Sequence, residues 1–229
     1  MNEINGDIAS VRVGQSAGRL IGPRAYNLIF SGLIFAGLSV MSLGFYLVKM
    51  PGFETWITVY VHPYMICSFV GIIAGIILMN VAVKRQAVVR SLIGFALFVG
   101  AFGATLSLLA LVYDMEVINS ALFATAVITV VFGALGVAFP RVFQRIVGVL
   151  SVSLLALLVV QMVTMFMGMD QTWLDIAVVV VFCGFIGYDM HAATSVAPTV
   201  PNAVFMACNL FLDIVNVFTR LVRILGDDR

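Results

Sequence analysis

YNLIFSGLIFAGLSVMSLGFYLV, residues 26–48, runs for 23 residues without Asp, Glu, Lys or Arg. A helix needs about 20 predominantly apolar residues to cross the ~30 Å hydrocarbon layer of a bilayer. The stretch therefore reads as a membrane span, and it is the first of seven. The others lie near 57–82, 91–113, 117–139, 146–168, 172–190 and 203–223. The first five contain no Asp, Glu, Lys or Arg. The sixth starts beside Asp175 and ends at Asp189, and the seventh carries Asp213 inside it. The expected fold is an all-α integral membrane protein, a seven-helix transmembrane bundle with the seventh helix central. The expected organisation is a tail over 1–25, a single membrane domain over 26–225 and a short tail over 226–229.

Composition agrees. Of 229 residues, 62% are hydrophobic and 10% charged, with a mean hydropathy of +1.15. A soluble chain averages about 45–50% apolar and about 25% charged residues. A formal charge of +1 leaves no basic stripe for DNA or RNA. The first 24 residues are polar and lack the short apolar core of a signal peptide, so residues 26–48 read as a retained span. Cys67, Cys183 and Cys208 stand singly in apolar runs, with neither a CxxC pair nor a metal spacing. They read as small core residues.

Basic residues orient the chain, because Lys and Arg collect in cytoplasmic loops. With the N-terminus inside, Arg12, Arg19, Arg24, Lys84, Arg85, Arg90, Arg141 and Arg145 all fall inside. The outside loops then hold Lys49 among Glu54, Asp114, Glu116, Asp170 and Asp175. The C-terminal end breaks the pattern. Seven crossings put Arg220, Arg223 and Arg229 outside, whereas a last segment that dips in and returns would keep them inside. Seven crossings are expected. Small residues mark close helix faces: Gly71 with Gly75, Gly100 with Gly103, Gly133 with Gly136, and Gly184 with Gly187. Plain packing accounts for all of them. No internal repeat is obvious, which argues against an inverted-repeat transporter.

The last span is unlike the others. Asn202, Asn209, Asp213, Asn216, Arg220 and Arg223 follow at steps of 7, 4, 3, 4 and 3. Such steps keep all six on one helix face. The opposite face is Val204, Leu210, Leu212, Ile214, Val217 and Leu221. A charge near the bilayer centre costs ~3 kcal/mol by insertion scales. The polar face must therefore meet protein or water, and a seventh helix surrounded by the other six would line a central pathway with it. Asp213 lies about ten residues into the expected span, or about 15 Å along it. Its expected partner is Asp189, near the end of the preceding span, since consecutive spans are usually neighbours. Two carboxyls held close at low dielectric share a proton rather than both ionising. Protonated, they clasp two helices together; deprotonated, they repel unless a cation sits between them. Calcium prefers carboxylate and carbonyl oxygens, and Asn209 and Asn216 supply further amide oxygens. A buried structural hydrogen bond is the plainer alternative.

Two segments resemble a known family. FCGFIGYDMH (182–191) and, after 17 intervening residues, NLFLDIVNVFTRLVRILG (209–226) look like the closing signature of the Bax inhibitor-1 family. Tyr188-Asp189 matches its Tyr-Asp near the end of the sixth helix. Leu212-Asp213-Ile214-Val215-Asn216-Val217-Phe218 matches the run that follows in the seventh. The 24-residue spacing of the aspartates also fits, as do the seven-span layout and the basic second loop. Phe211 stands where the family usually has Tyr, and His191 where it has Gln. The resemblance implies a pH-sensitive calcium leak, with a central seventh helix and the aspartates matching Asp189 and Asp213 as a hydrogen-bonded pH sensor through which calcium binds transiently. It also implies a basic latch at the cytosolic end of the second helix. Lys84 and Arg85 are the candidates, with Val83 also within a residue of the family position. Positive-inside anchoring explains the same two charges. His191 adds a titrating group or is a solvated loop histidine.

Rival chemistries are poorly served. An intramembrane aspartyl protease would use Tyr188-Asp189, but its Gly-x-Gly-Asp partner is missing around Asp213. Zinc chemistry needs about three His-like ligands and an open position, and the chain has only His62 and His191. The last helix has no lysine for a retinal-type pigment. Neither a phosphate loop nor a Ser-His-Asp set is present, so no enzyme and no cofactor are expected. A proton-coupled carrier of another ion or solute, or a non-transporting membrane regulator, would tolerate the same stripe. The expected partners are calcium ions and the lipid bilayer, and the short N-terminal tail points to a bacterial plasma membrane.

Overall fold

The computed structural model describes residues 18–227, apart from the side chain of Glu54. Arg12 and Arg229, used above for orientation, lie outside the described residues. Among the described residues there are nine helices and no strand. They are α1 (Pro23–Val48), α2 (Phe53–Val59), α3 (Val61–Lys84), α4 (Val88–Ser107), α5 (Leu109–Val112), α6 (Met115–Ala138), α7 (Pro140–Phe166), α8 (Thr172–Ser195) and α9 (Val200–Asp227). Counting α4 and α5 as one span, seven are long and apolar enough to cross a membrane. The chain is thus an all-α integral membrane protein.

All seven expected spans exist, and their ends differ for physical reasons. Helices outlast their apolar stretches because the backbone must stay hydrogen-bonded through the interface. Thus α7 begins at Pro140 and carries Arg141 and Arg145 in its first turns, and α8 runs five residues past Met190. Proline suits the first helical turn, where its missing N–H is no loss, and both α1 and α7 start with one. The expected second span, 57–82, is interrupted. Ile57–Val59 belong to the short α2, which follows Gly52 at φ 88°, and Tyr60 at φ −108°, ψ 23° separates α2 from α3. Only glycine takes such a positive φ without strain.

The chain divides into two compact units. The first comprises the described part of Met1–Val112 with Val196–Cys208. There α4 packs against both α3 and α1. A Cβ on Gly75 would stand 2.8 Å from the Gly94 carbonyl oxygen, and one on Gly94 would stand 3.1 Å from that of Gly75. The two backbones touch because neither residue has a side chain. Gly100, expected on a close face, would have nothing within 4 Å of an added Cβ. Gly103, by contrast, packs on α1, where an added Cβ would stand 3.4 Å from the Met41 Cα.

The second unit comprises Tyr113–Ser195 with Asn209–Arg229, described as far as Asp227. In it α6 and α7 both pack against α8. Gly136 of α6 lies directly on the backbone of Gly187 in α8, and the Phe143 ring covers Gly187. An added methyl at Gly136 has only main chain to push against. Gly136→Ala should therefore destabilise the protein by about 1–3 kcal/mol, the usual range for overpacking. Thermal unfolding in detergent checks this, and Gly148→Ala, in open space, serves as the control.

Burial differs sharply between spans. The apolar window of α7 has no buried residues, whereas 61% of that of α9 is buried. In α9 both faces are covered. Val204, Leu210, Ile214 and Val217 are buried, and so are Asn202 and Asp213.

Candidate functional site

The polar face of α9 is divided by its partners into three parts. At the N-terminal end, Asn202 is fully buried and serves loop architecture. Its Nδ2 donates to the Ala197 carbonyl at 2.8 Å, and Gln86 Nε2 donates to its Oδ1 at 3.3 Å. The middle part is Asn209, Asp213 and Asn216. At the C-terminal end, Arg220 Nη1 and Arg223 Nη2 donate to one oxygen, Oδ1 of Asp175, at 2.7 and 2.8 Å. The six residues share a face as expected, but only the middle three are left without a fixed ionic or loop-building duty.

Asp213 is 8% exposed. It sits 13 residues into α9, about 20 Å along the axis at ~1.5 Å per residue, because the helix starts at Val200. Its carboxyl lies against that of Asp189 in α8, side chain to side chain within hydrogen-bonding range. Its Oδ2 is buried and has no hydrogen-bond partner among the described residues. Asp189 is half-buried. The expected aspartate pair is thus brought together. Both contacts join α8 to α9, the Asp175 contact through Arg220 and Arg223 and the Asp189 contact through Asp213. The ionic contact and the carboxyl contact are two rungs of one helix pair.

Asn209 and Asn216 flank Asp213 at i−4 and i+3, on its side of the helix. Both are half-buried. The Asn216 amide nitrogen donates to the Leu212 carbonyl one turn back, at 2.8 Å. Lys84 ends α3, and Arg85 follows as its C-cap; both are exposed, whereas Val83 is 1% exposed. Phe211 is fully buried. His191 lies with its Nε2 2.7 Å from Gln144 Nε2 of α7.

Sequence counting groups Asp175 with the charges of the outside loops, whereas it lies in the first turn of α8 and is buried. Asp175 is 4% exposed and carries two guanidinium partners. The signal available in the sequence is the hairpin itself. Asp175 and Arg220 are nearly equidistant from the loop joining α8 to α9, so an antiparallel pair brings them to one level. Charge pairing across two adjacent spans carries that information better than loop composition does.

Asp170, just before α8, behaves differently from the buried carboxylates. The Thr172 backbone N–H donates to its Oδ1 at 3.0 Å and the Thr172 hydroxyl at 2.8 Å. These bonds hold its carboxyl below the usual carboxylate range, the backbone bond contributing most. A lowered folded-state value means that its stabilising effect is fully present above the ordinary value near ~3.9 and fades as pH falls through the lower one. Asp170→Asn should therefore leave any pH response between about pH 5 and 8 unchanged. A flux or unfolding profile of the variant checks this.

Comparison with known proteins gives the lineage. A family model described as "Inhibitor of apoptosis-promoting Bax1" matches residues 20–229. The chain is 28% identical over 181 residues to Bax inhibitor 1 of Schizosaccharomyces pombe, covering 77% of this chain. It spans 66% of that relative's length, just under two-thirds. An uncharacterized membrane protein of Streptococcus pyogenes serotype M3 is 27% identical over 204 residues, covering 85% of this chain and 89% of its own. With a family match across nearly the whole sequence and seven apolar helices of spanning length, the chain belongs to the Bax inhibitor-1 family.

Proposed function

We propose that this protein lets calcium pass passively down its gradient, with the protonation state of the Asp189–Asp213 pair setting the open fraction. The observation that carries the reading is the contact between these two carboxyls on adjacent spans, with Asp213 Oδ2 buried and unpartnered among the described residues. A buried acceptor without a donor is costly unless a proton or cation visits it. The pair therefore has two states with different helix–helix energies: a hydrogen-bonded clasp with a proton, and mutual repulsion without one.

Calcium as cargo fits the same donors. It is a hard ion that takes carboxylate and carbonyl oxygens, and Asn209 and Asn216 flank the proposed pathway on either side of Asp213. Among the described residues no three His, Cys, Asp or Glu side chains come together. Two carboxylates with amide neighbours make a weak, transient site, as conduction requires. The burial of both faces of α9 supports a central seventh helix. Lys84 or Arg85 is proposed as the cytosolic latch, the N-terminus as cytoplasmic and the location as a bacterial plasma membrane. The reading is one of transport, with no catalytic step.

The test is calcium uptake into protein-only liposomes. A leak gives flux that follows the calcium gradient alone. A coupled carrier gives flux only when a gradient of a second ion is imposed, and a regulator gives none. Either of the last two results overturns the proposal.

A further inference from the structure

At the end of the second unit where α8 begins and α9 finishes, the side chains form two neighbouring polar clusters. Two guanidinium groups meet a single oxygen of the buried Asp175. Asp175 is covered, Arg220 is 12% exposed and Arg223 is 38% exposed. One carboxylate between two guanidiniums leaves this knot with a net positive charge. Beside it the Thr172 hydroxyl lies 2.8 Å from Asp170 Oδ1 and 3.1 Å from Asp227 Oδ2, tying the segment before α8 to the last turn of α9. The Tyr113 ring lies against Gly226, leaving no room for a Cβ. A polar cavity of about 250 Å³ opens above the knot, and Asp175 and Arg223 are in its wall.

The knot stands in series with the aspartate pair. Arg220 is seven residues after Asp213, two helical turns or about 10 Å further along the same face. A cation or a file of water moving along that face from the cavity toward Asp213 meets two guanidiniums first. Low dielectric makes such a charge a strong barrier to a divalent cation. Arginine cannot shed its proton to relieve it.

We propose that Asp175, Arg220 and Arg223 form an ionic clasp that shuts this end of the unit, keeping water and cations from the Asp189–Asp213 pair until α8 and α9 separate there. This rests on the reading of Asp213 as part of an ion pathway. Closure by itself, however, is tested without any flux. The role is one of positioning and exclusion, distinct from proton sensing: the clasp sets how much passes, and the carboxyl pair sets at which pH.

The experiment uses the full chain in lipid nanodiscs, with Cys67, Cys183 and Cys208 replaced by serine and Asn216→Cys as reporter. The probe is a membrane-impermeant maleimide. Labelling should be slow with the clasp intact and roughly tenfold faster with Arg223→Gln, the least buried and least disruptive change. Arg223→Lys, which keeps the charge, should restore slow labelling. In liposomes, Arg223→Gln should raise calcium flux several-fold without moving the midpoint of its pH profile. Equal labelling rates in all three proteins would overturn the clasp, as would a Lys variant as open as the Gln variant. If the parent carries no calcium while labelling follows the expected order, the leak reading fails and the clasp stands.

Discussion

Asp175→Ala should cost about 3–5 kcal/mol of stability, the range for removing one partner of a buried ion pair. The loss is large because of what remains. Arg220 and Arg223 both point at one oxygen of Asp175, and without it two guanidiniums of like charge share a covered site. Neither can neutralise itself by losing a proton. Asp175→Asn should cost nearly as much, since it keeps the shape and removes the charge. Arg223→Gln should cost much less, because Arg223 is 38% exposed and Arg220 still neutralises the carboxylate. Unfolding in detergent, followed by tryptophan fluorescence or helix content, gives the ranking directly. Asp175 variants indistinguishable from wild type would show that water reaches the knot freely.

Asp213→Asn should flatten the pH dependence of calcium flux. A one-proton switch changes its closed-to-open ratio by up to about tenfold per pH unit. Asparagine keeps the size and hydrogen-bonding reach of the carboxyl but cannot titrate. Between about pH 6 and 8 the wild-type response should shrink to less than about twofold in the variant. Asp170 stays ionised through this range because its hydrogen bonds from Thr172 hold it low, so it supplies no residual response. A loss of flux alone, with the pH profile kept, would mark Asp213 as a pathway residue and not a sensor.

Much of this is legible in the sequence because membrane spans are written in composition. Seven apolar runs give seven helical spans among the described residues, as only backbone-satisfied segments can cross lipid. The carboxyl pair is legible for a related reason. An aspartate among Leu212, Ile214 and Val215 has no solvent to face, so a partner is demanded, and the preceding span offers Asp189. Other features depend on register, which composition does not carry. The Asp175 knot needs the antiparallel level of α8 and α9, and the break between α2 and α3 needs the backbone geometry of Gly52 and Tyr60. Gly100 reads as a packing glycine beside Gly103, yet it faces open space, since small-residue spacing names a stripe without saying whether a helix lies opposite.

Whether the two carboxyls act together is decided by a double-mutant cycle on the pH profile of calcium flux, in protein-only liposomes, with Asp189→Asn, Asp213→Asn and the two combined. If they form one proton-sharing unit, each single change flattens the profile and the double change adds nothing further. Single variants that both keep the wild-type profile, or effects of the two changes that simply add, would contradict a shared proton as the trigger.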